Sequence, residues 1–289
     1  MKIFLIGKNG QLGREIDLEG KKRGHAMFSF EKKDLDVTNH EEIRKKIKLR
    51  KPDVVINTAS YHVLSDCEKY PEKLFQINVF ATKNMAKACK DLGIRYVDFS
   101  SDKVFDGRKK KPYIESDLTN PLQMYGLACL NREIVSLNYN NDSIIIRTCG
   151  IFGGVNGSRI KGGNFVLYIL NQAKTKKELE IASDYEACFA NANDLAIATL
   201  KLVENKKASG VFHLVNEGSA SWAEFAKEIV KLTKSDLKII PVKRGGSYND
   251  IPVPEYGVLK NYKAKKLGVV MPRWEEGLGK YISFLSNNL

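Results

Sequence analysis

Short apolar runs alternate with amphipathic segments through the first half of the chain. The apolar runs predict strands at residues 2–6, 26–30, 54–56, 94–99 and 143–147, and the intervening segments predict helices at residues 11–22, 40–49, 71–91 and 122–138. Strands that are apolar on both faces and separated by helices are typical of a parallel sheet covered on both sides. This pattern predicts an α/β fold with a doubly wound parallel sheet.

The alternation continues less regularly after residue 150. Helices are predicted at residues 164–175, 193–203 and 222–232, strands at 211–215 and 238–242, and loops at 153–163 and 244–255. We therefore divide the chain into a first domain, residues 1–150, and a mixed region, residues 151–289. The mixed region is expected to complete the sheet and to form a small C-terminal lobe.

Composition places the chain among ordinary globular proteins. Of its 289 residues, 43% are apolar and 28% are charged. No apolar run approaches the roughly 20 residues that span a bilayer, and the N-terminus passes directly into a strand, so we expect neither a membrane segment nor a secretory leader. The five cysteines are widely spaced without a CxxC pair, which indicates neither a disulfide framework nor a metal site. We expect a cytoplasmic protein.

The net charge of +13 is spread over short basic runs at residues 21–23, 44–51, 108–111 and 174–177. These runs flank predicted helices and contain few aromatic residues, and no nucleic-acid-binding motif accompanies them. Solvated helix faces explain them best. A positive field that attracts anionic nucleotide ligands is the second interpretation, and nucleic-acid binding is disfavoured.

A glycine-rich turn joins the first predicted strand to the first predicted helix. It holds Gly7, Gly10 and Gly13, together with Asn9, Gln11 and Leu12. Glycines at such a turn let the backbone approach a pyrophosphate, which the helix N-terminus then faces. The turn predicts dinucleotide binding and a Rossmann-like first domain, although its spacing is GxxGxxG and differs from GxGxxG.

Residues after the second strand bear on the choice between NAD and NADP. Glu31 stands where an acid would hold ribose hydroxyls, whereas Lys32 and Lys33 would suit a 2′-phosphate. Asp36 and Val37 are placed to contact adenine. These charges do not distinguish NAD from NADP. Glu31, Lys32 and Lys33 are explained equally by solvated surface charge.

Several motifs occur in an order that resembles the extended short-chain dehydrogenase/reductases, and among them the dTDP-4-dehydrorhamnose reductase family. They lie at residues 7–13, 34–38, 54–61, 67–68, 71–72, 78, 100–107, 121–126, 147–148, 163–165 and 194–196. The resemblance spans nearly the whole chain and is dense through about residue 150. It implies reduction of a 4-keto nucleotide sugar by NADPH or NADH in deoxysugar biosynthesis.

The resemblance also implies roles for individual residues. Tyr125 would donate the proton and Ser101 would hydrogen-bond the sugar oxygen. The cofactor site would include Thr58, Ala59, Ser60, Asn78, Ser100 and Cys129, and the substrate site Tyr61, Asp102, Asn164 and Tyr256.

Cys129 departs from the family, which has a lysine four residues after the tyrosine. That lysine lowers the tyrosine pKa and binds the nicotinamide ribose, and a thiol does neither. Cys129 is interpreted as a packing residue, with a nucleophilic role as the less supported alternative. Lys103 stands where the family has tyrosine. We hypothesise that its ammonium compensates, because an extended strand would point Ser101 and Lys103 the same way, and a loop lysine is the alternative.

The substrate end departs as well. Residues 185–190 replace a Gln, Gly, Pro and Thr stretch, and Val253 replaces an arginine expected at the diphosphate. Candidates to replace this arginine are Lys243, Arg244, Arg159 and Lys161, although solvated surface charge explains each of them better.

Two functional hypotheses remain. One is an active reductase, or a related epimerase or dehydratase, acting on a nucleotide sugar. The other is a catalytically impaired dinucleotide-binding regulatory protein that resembles the methionine adenosyltransferase β subunit. A homodimer is compatible with the sequence, which leaves the oligomeric state open.

Overall fold

The computed structural model describes residues 1–155, 157 and 162–288. Its helices are α1 Gln11–Lys22, α2 His40–Arg50, α3 Leu64–Lys69, α4 Pro71–Phe75, α5 Ala81–Asp91, α6 Met124–Tyr139, α7 Phe165–Ala173, α8 Ala192–Glu204, α9 Trp222–Thr233, α10 Tyr262–Lys266 and α11 Trp274–Asn288. None of the helices in this part of the chain has the length and apolar character needed to cross a membrane.

The strands alternate with these helices. They are β1 Lys2–Ile6, β2 Ala26–Phe30, β3 Val54–Asn57, β4 Arg95–Ser101, β5 Ile144–Thr148, β6 Gly150–Phe152, β7 Glu178–Ala182, β8 Glu186–Ala187, β9 Phe189–Asn191, β10 Gly210–His213, β11 Ala220–Ser221, β12 Lys238–Val242, β13 Ser247–Tyr248, β14 Ile251–Pro252 and β15 Tyr256–Gly257. The predicted first-half strands are confirmed within a residue or two at their ends. The pattern missed α3, α10, α11 and most short strands of the second half.

Six parallel strands form the central sheet in the order β2, β1, β3, β4, β5, β10. Successive residues of β1 point to opposite faces: Ile3 and Leu5 join one buried cluster with α1 and α8, and Phe4 and Ile6 join another with α2 and α5. The doubly wound α/β class is therefore confirmed. Because β2 and β3 lie on opposite sides of β1, the strand order reverses between β1 and β3, where such sheets bind ligands.

The second half contributes β10 to the sheet and packs a separate aromatic core. Phe189 and Phe225 stack with their ring centroids 3.9 Å apart, and Trp274 lies 5.3 Å from Phe225. A short sheet of β11, β8 and β15 lies beside this core. Residues 247–252, expected to be irregular, form the two-residue strands β13 and β14.

The helix predicted at residues 71–91 consists of three parts. A π-helical turn, Gln76–Phe80, separates α4 from α5. Such turns are rare and are often found at functional sites because they redirect a side chain out of the regular helical spacing. Here the turn carries Asn78, one of the predicted site residues.

Candidate active site

The glycine turn follows β1 at the switch point of the sheet and leaves no room for side chains. Gly7 has φ of +88°, and a Cβ there would lie 2.5 Å from Thr58 Oγ1. A Cβ on Gly13 would lie 2.2 Å from the Gly7 carbonyl oxygen. Helix α1 begins without a side-chain cap, so its first N–H groups face the cleft above the turn. This cradle fits the pyrophosphate of a dinucleotide.

The side chains of the other residues of the turn fix its position. Leu12 is buried in the core, and Gln11 Nε2 donates to the carbonyls of Ile151 and Gly153 at 3.2 and 2.9 Å. Gln11 therefore ties the turn to the segment after β5. Asn9 is half-buried at the turn itself.

The charged residues after β2 lie beside the turn. Lys33 Nζ is 3.5 Å from Glu31 Oε2, whereas Lys32 is exposed and its charge helps to lower the pKa of Asp36. The largest causes of that lowered pKa are the backbone and side-chain hydrogen bonds that Thr38 donates to Asp36. Val37 is buried next to it.

The segment after β3 forms the second wall of the cleft. Thr58 Oγ1 donates to the Ile6 carbonyl at 2.8 Å, which fastens this segment to the end of β1. Asn78 is fully buried behind it: its amide oxygen accepts from the Tyr61 N–H at 2.8 Å, and its Nδ2 donates to the Tyr61 carbonyl at 2.9 Å and to Ser60 Oγ at 3.4 Å. Asn78 therefore positions the segment and does not face the cleft.

The end of β4 brings Ser100, Ser101 and Asp102 to the same edge of the sheet. The buried Ser100 hydroxyl donates to Glu133, which pairs with Arg147 at 2.7 Å. Ser100 is thus engaged with α6 below the cleft. Ser101 Oγ donates to Asp102 Oδ1 at 2.8 Å.

Lys103 does not follow the strand geometry that we expected. Strand β4 ends at Ser101, and Asp102–Val104 form a 3-10 turn, so the assumption of continued extension is wrong. The Lys103 ammonium donates to Asp102 Oδ2 at 2.7 Å. The carboxylate of Asp102 is thereby shared between Ser101 and Lys103.

Tyr125 lies in the first turn of α6, against the end of β4. The helix is capped by Gln123, whose side chain accepts from the Gly126 N–H. A Cβ on Gly126 would lie 2.2 Å from the Lys103 carbonyl oxygen, so glycine allows this close contact. Burial raises the pKa of Tyr125 well above its usual range, Cys129 and Asp102 raise it further, and Arg132 opposes them. Tyr125 is therefore protonated at neutral pH.

Cys129 lies one turn after Tyr125 in the main core cluster and is 1% exposed. Burial raises its pKa to about 12, so the group is a neutral thiol near pH 7. A thiolate nucleophile does not fit this site, whereas the packing interpretation does.

Sequence reasoning missed Arg132, a buried cation on the same helix. Its side chain is 2% exposed, its Nε donates to Asp98 Oδ2 at 2.8 Å, and its Nη2 donates to the Ala59 carbonyl at 3.0 Å. Asp98 also accepts from Thr82 and Tyr96. The signal available in the sequence was an arginine seven residues after the tyrosine, on the same helical face.

On the predicted substrate side, strand β15, which carries Tyr256, lies against Asp102. A Cβ on Gly257 would lie 2.9 Å from Asp102 Oδ2, so β15 passes directly over this carboxylate. Tyr256 lines a cavity of about 360 Å³. Its lining includes Gly107, Lys110, Ser183, Asp184, Glu186, Glu255 and Tyr256.

Other predicted substrate residues are not part of this lining or lie outside the described part of the chain. Asn164 caps α7, and its Nδ2 donates to the Gly153 carbonyl and to the Tyr281 hydroxyl. Val253 is buried, and Arg244 is exposed with its guanidinium 3.5 Å from Glu180. Arg159 and Lys161 are outside the described residues.

Comparison with known proteins identifies relatives over the full length. The family model described as "RmlD substrate binding domain" matches residues 1–287. The chain is 32% identical to the spore coat polysaccharide biosynthesis protein SpsK of Bacillus subtilis, over 97% of this chain and 96% of that protein.

Solved structures agree with this result. A dTDP-4-dehydrorhamnose reductase of Clostridium acetobutylicum has a TM-score of 0.92 and 35% identity, covering 99% of this chain and 100% of the other. A dTDP-4-dehydrorhamnose reductase of Bacillus anthracis, solved in complex with NADP, has a TM-score of 0.90 and 27% identity, covering 97% and 98%.

Proposed function

This chain belongs to the RmlD substrate binding domain family, and we propose that its cleft reduces a 4-keto nucleotide sugar with NADPH or NADH, with Tyr125 as the proton donor. One observation carries the assignment of Tyr125. The close contact between Gly126 and the Lys103 carbonyl places the first turn of α6 next to Ser101, at the end of β4, and Asp102, in the turn that follows. The dinucleotide cradle lies two strands away along the same edge.

The bound dinucleotide supplies the hydride that adds to the ketone carbon. Residues 7–13 and 58–60 would hold it, since the glycines leave space for its phosphates and the segment after β3 lines the cleft. Tyr125 is protonated near pH 7 and donates its proton to the ketone oxygen. Ser101 supplies a second hydrogen bond to that oxygen when its hydroxyl turns away from Asp102.

The substrate would enter from the side of the second half, which we propose as the substrate lobe. Tyr61, Asp102 and Tyr256 are the residues that we assign to the sugar, since β15 and the segment after β3 bring them to the open edge of the sheet. The dTDP-sugar named for many relatives is the substrate class that we propose.

The regulatory alternative is not favoured. Two relatives that align with 98% and 99% of this chain are named as dTDP-4-dehydrorhamnose reductases, and the glycine cradle and the tyrosine are both in place. We propose the cytoplasm as the compartment, a reducing environment in which the five free cysteines would persist.

We also propose a homodimer. Helices α5 and α6 pack together, and the neighbouring surface exposes large apolar side chains: Phe80 by 50%, Leu127 by 39% and Ile134 by 47%. A second copy presenting the same face would cover them. Light scattering should give a dimer for the wild type and a monomer for Ile134→Glu. A monomeric wild type would contradict the dimer.

The proposed reaction is tested by substrate-dependent oxidation of NADPH with dTDP-4-dehydrorhamnose. Tyr125→Phe should lower kcat by at least about 100-fold while NADPH still binds. Tyr139→Phe is the matched control, because Tyr139 is an exposed tyrosine at the other end of the same helix. Equal rates for wild type and Tyr125→Phe would refute the role of Tyr125. Absence of wild-type turnover with dTDP-, UDP-, GDP- and CDP-linked 4-keto sugars would refute the proposed function.

A further inference from the structure

We infer that Arg132 is the positioning cation of Tyr125, replacing electrostatically the lysine that position 129 lacks. This inference rests on the proposed function, since it concerns the proton donor of that reaction. Arg132 does not touch the reacting atoms. It acts through the tyrosine and through the cofactor wall.

Arg132 is placed for this role by the helix that carries the tyrosine. Tyr125, Cys129 and Arg132 follow one another at spacings of four and three residues, which lie on one face of α6. The arginine is buried, and its pKa is raised by Asp98 despite burial, so it stays charged at every pH at which the protein works.

The guanidinium also reaches the cofactor wall. Its Nη2 donates to the carbonyl of Ala59, within the segment after β3 that lines the cleft. The same side chain therefore links the tyrosine helix, strand β4 and the predicted cofactor-lining segment after β3. A lysine on the helix would make such a link by itself, and here the longer, forked side chain makes it from one turn further away.

Lys103 is less suited to this role. Its ammonium donates at 2.7 Å to Asp102, and its side chain is 25% exposed, so solvent screens its charge more than that of Arg132, which is 2% exposed. Among the groups that act most strongly on Tyr125, Arg132 is the one that favours the ionised form, while Cys129 and Asp102 disfavour it.

The environment of Tyr125 contains few other titratable groups. Cys129 and Arg132 face it from α6, and Asp102 faces it from the turn after β4. Tyr61 and Cys67 belong to the small apolar cluster on which Tyr125 packs. Arg132 carries the positive charge, and its partner Asp98 partly cancels it. Removing either charge should therefore shift the pKa of Tyr125 in opposite directions.

Tyr125 ionisation is measured directly by NMR of protein labelled at the tyrosine Cζ, with Tyr125→Phe to assign the signal. Arg132→Gln should raise the pKa of Tyr125 by about one unit, and Asp98→Asn should lower it by a similar amount. A merely structural role predicts damage without opposite shifts. Shifts of the same sign, or no shift in either variant, would overturn the inference.

Turnover gives the second readout. Arg132→Gln should lower kcat about tenfold with little change in KM for the sugar, and Arg132→Lys should recover most of that loss because it restores the charge. Failure of Arg132→Lys to recover activity, while it remains folded by circular dichroism, would overturn the inference. The NMR titration needs no substrate, so an inactive wild type would refute the proposed function and leave this test intact.

Discussion

Cys129 lies one turn after Tyr125 on the same face of α6, and after burial itself it is the largest cause of the raised pKa of the tyrosine. The thiol is buried and neutral, so it gives the tyrosine a weak partner and no charge. Helix α6 instead presents its positive charge at Arg132, which Asp98 holds from β4. The positive charge of this helix therefore lies at position 132 and not at position 129.

Restoring the missing lysine should harm the protein. In Cys129→Lys, the ammonium would be buried beside the Arg132 guanidinium. The nearby carboxylates of Asp98, Asp102 and Glu133 are already paired with Arg132, Lys103 and Arg147. We expect the free energy of unfolding to fall by about 3 kcal/mol, measured by urea denaturation, and kcat not to rise. Cys129→Ser is the uncharged control. A stable Cys129→Lys protein with higher kcat would contradict this account of the site.

The glycine cradle should not tolerate a methyl group. Gly13→Ala would place a Cβ 2.2 Å from the Gly7 carbonyl oxygen and 2.9 Å from Thr58 Oγ1, so the turn must open. We expect the Kd for NADPH to rise at least about tenfold, measured by fluorescence titration. Gly279→Ala is the control, because a Cβ there meets nothing within 4 Å, and it should leave binding unchanged. Equal Kd values for both variants would contradict the cradle.

The two lysines after β2 should differ in their effect on the cofactor. Lys33 is paired with Glu31 and Lys32 is exposed beside Asp36, so Lys32 is the better partner for a 2′-phosphate. Lys32→Ala should raise KM for NADPH about fivefold and leave KM for NADH unchanged. Lys33→Ala should change KM for either cofactor by much less than fivefold. If Lys32→Ala changed KM for NADPH and KM for NADH by the same factor, Lys32 would not bind the 2′-phosphate.

Acid should destabilise the protein through His213. Burial lowers the pKa of His213 to about 3 from its usual 6.5, with the nearby Arg147 as the second cause. The unfolded chain therefore binds the proton first, and stability falls as pH drops from about 6.5 towards 3, by up to about 4 kcal/mol.

The His213→Gln variant tests this dependence. It should be less stable at pH 7, because the ring Nδ1 lies 3.1 Å from the Tyr113 carbonyl in the wild type, and it should lose less stability than the wild type between pH 6.5 and 4. Thermal melts across that range measure both effects. If the stability of the two proteins fell in parallel between pH 6.5 and 4, another group would control the acid sensitivity.

Much of the fold followed from local patterns. The five strands of the first half, the glycine turn and the helix that carries Tyr125 were predicted because apolar periodicity and turn chemistry are properties of neighbouring residues, whereas Tyr125 itself was singled out by the family resemblance. The helix at residues 71–91 was predicted as one piece, and the π-helical turn that buries Asn78 was not, since one extra residue in a turn leaves little trace in the pattern.

The sequence by itself determined that this is a doubly wound α/β protein with a glycine turn after its first strand, a tyrosine at 125 and no lysine at 129. The tertiary structure decided where the compensating charge lies. Asp98 and Arg132 are 34 residues apart and Ser100 and Glu133 are 33 apart, so their pairing depends on how α6 docks on β4. Contacts across such separations are fixed by packing and by the need to pair buried charges, and local periodicity does not encode them.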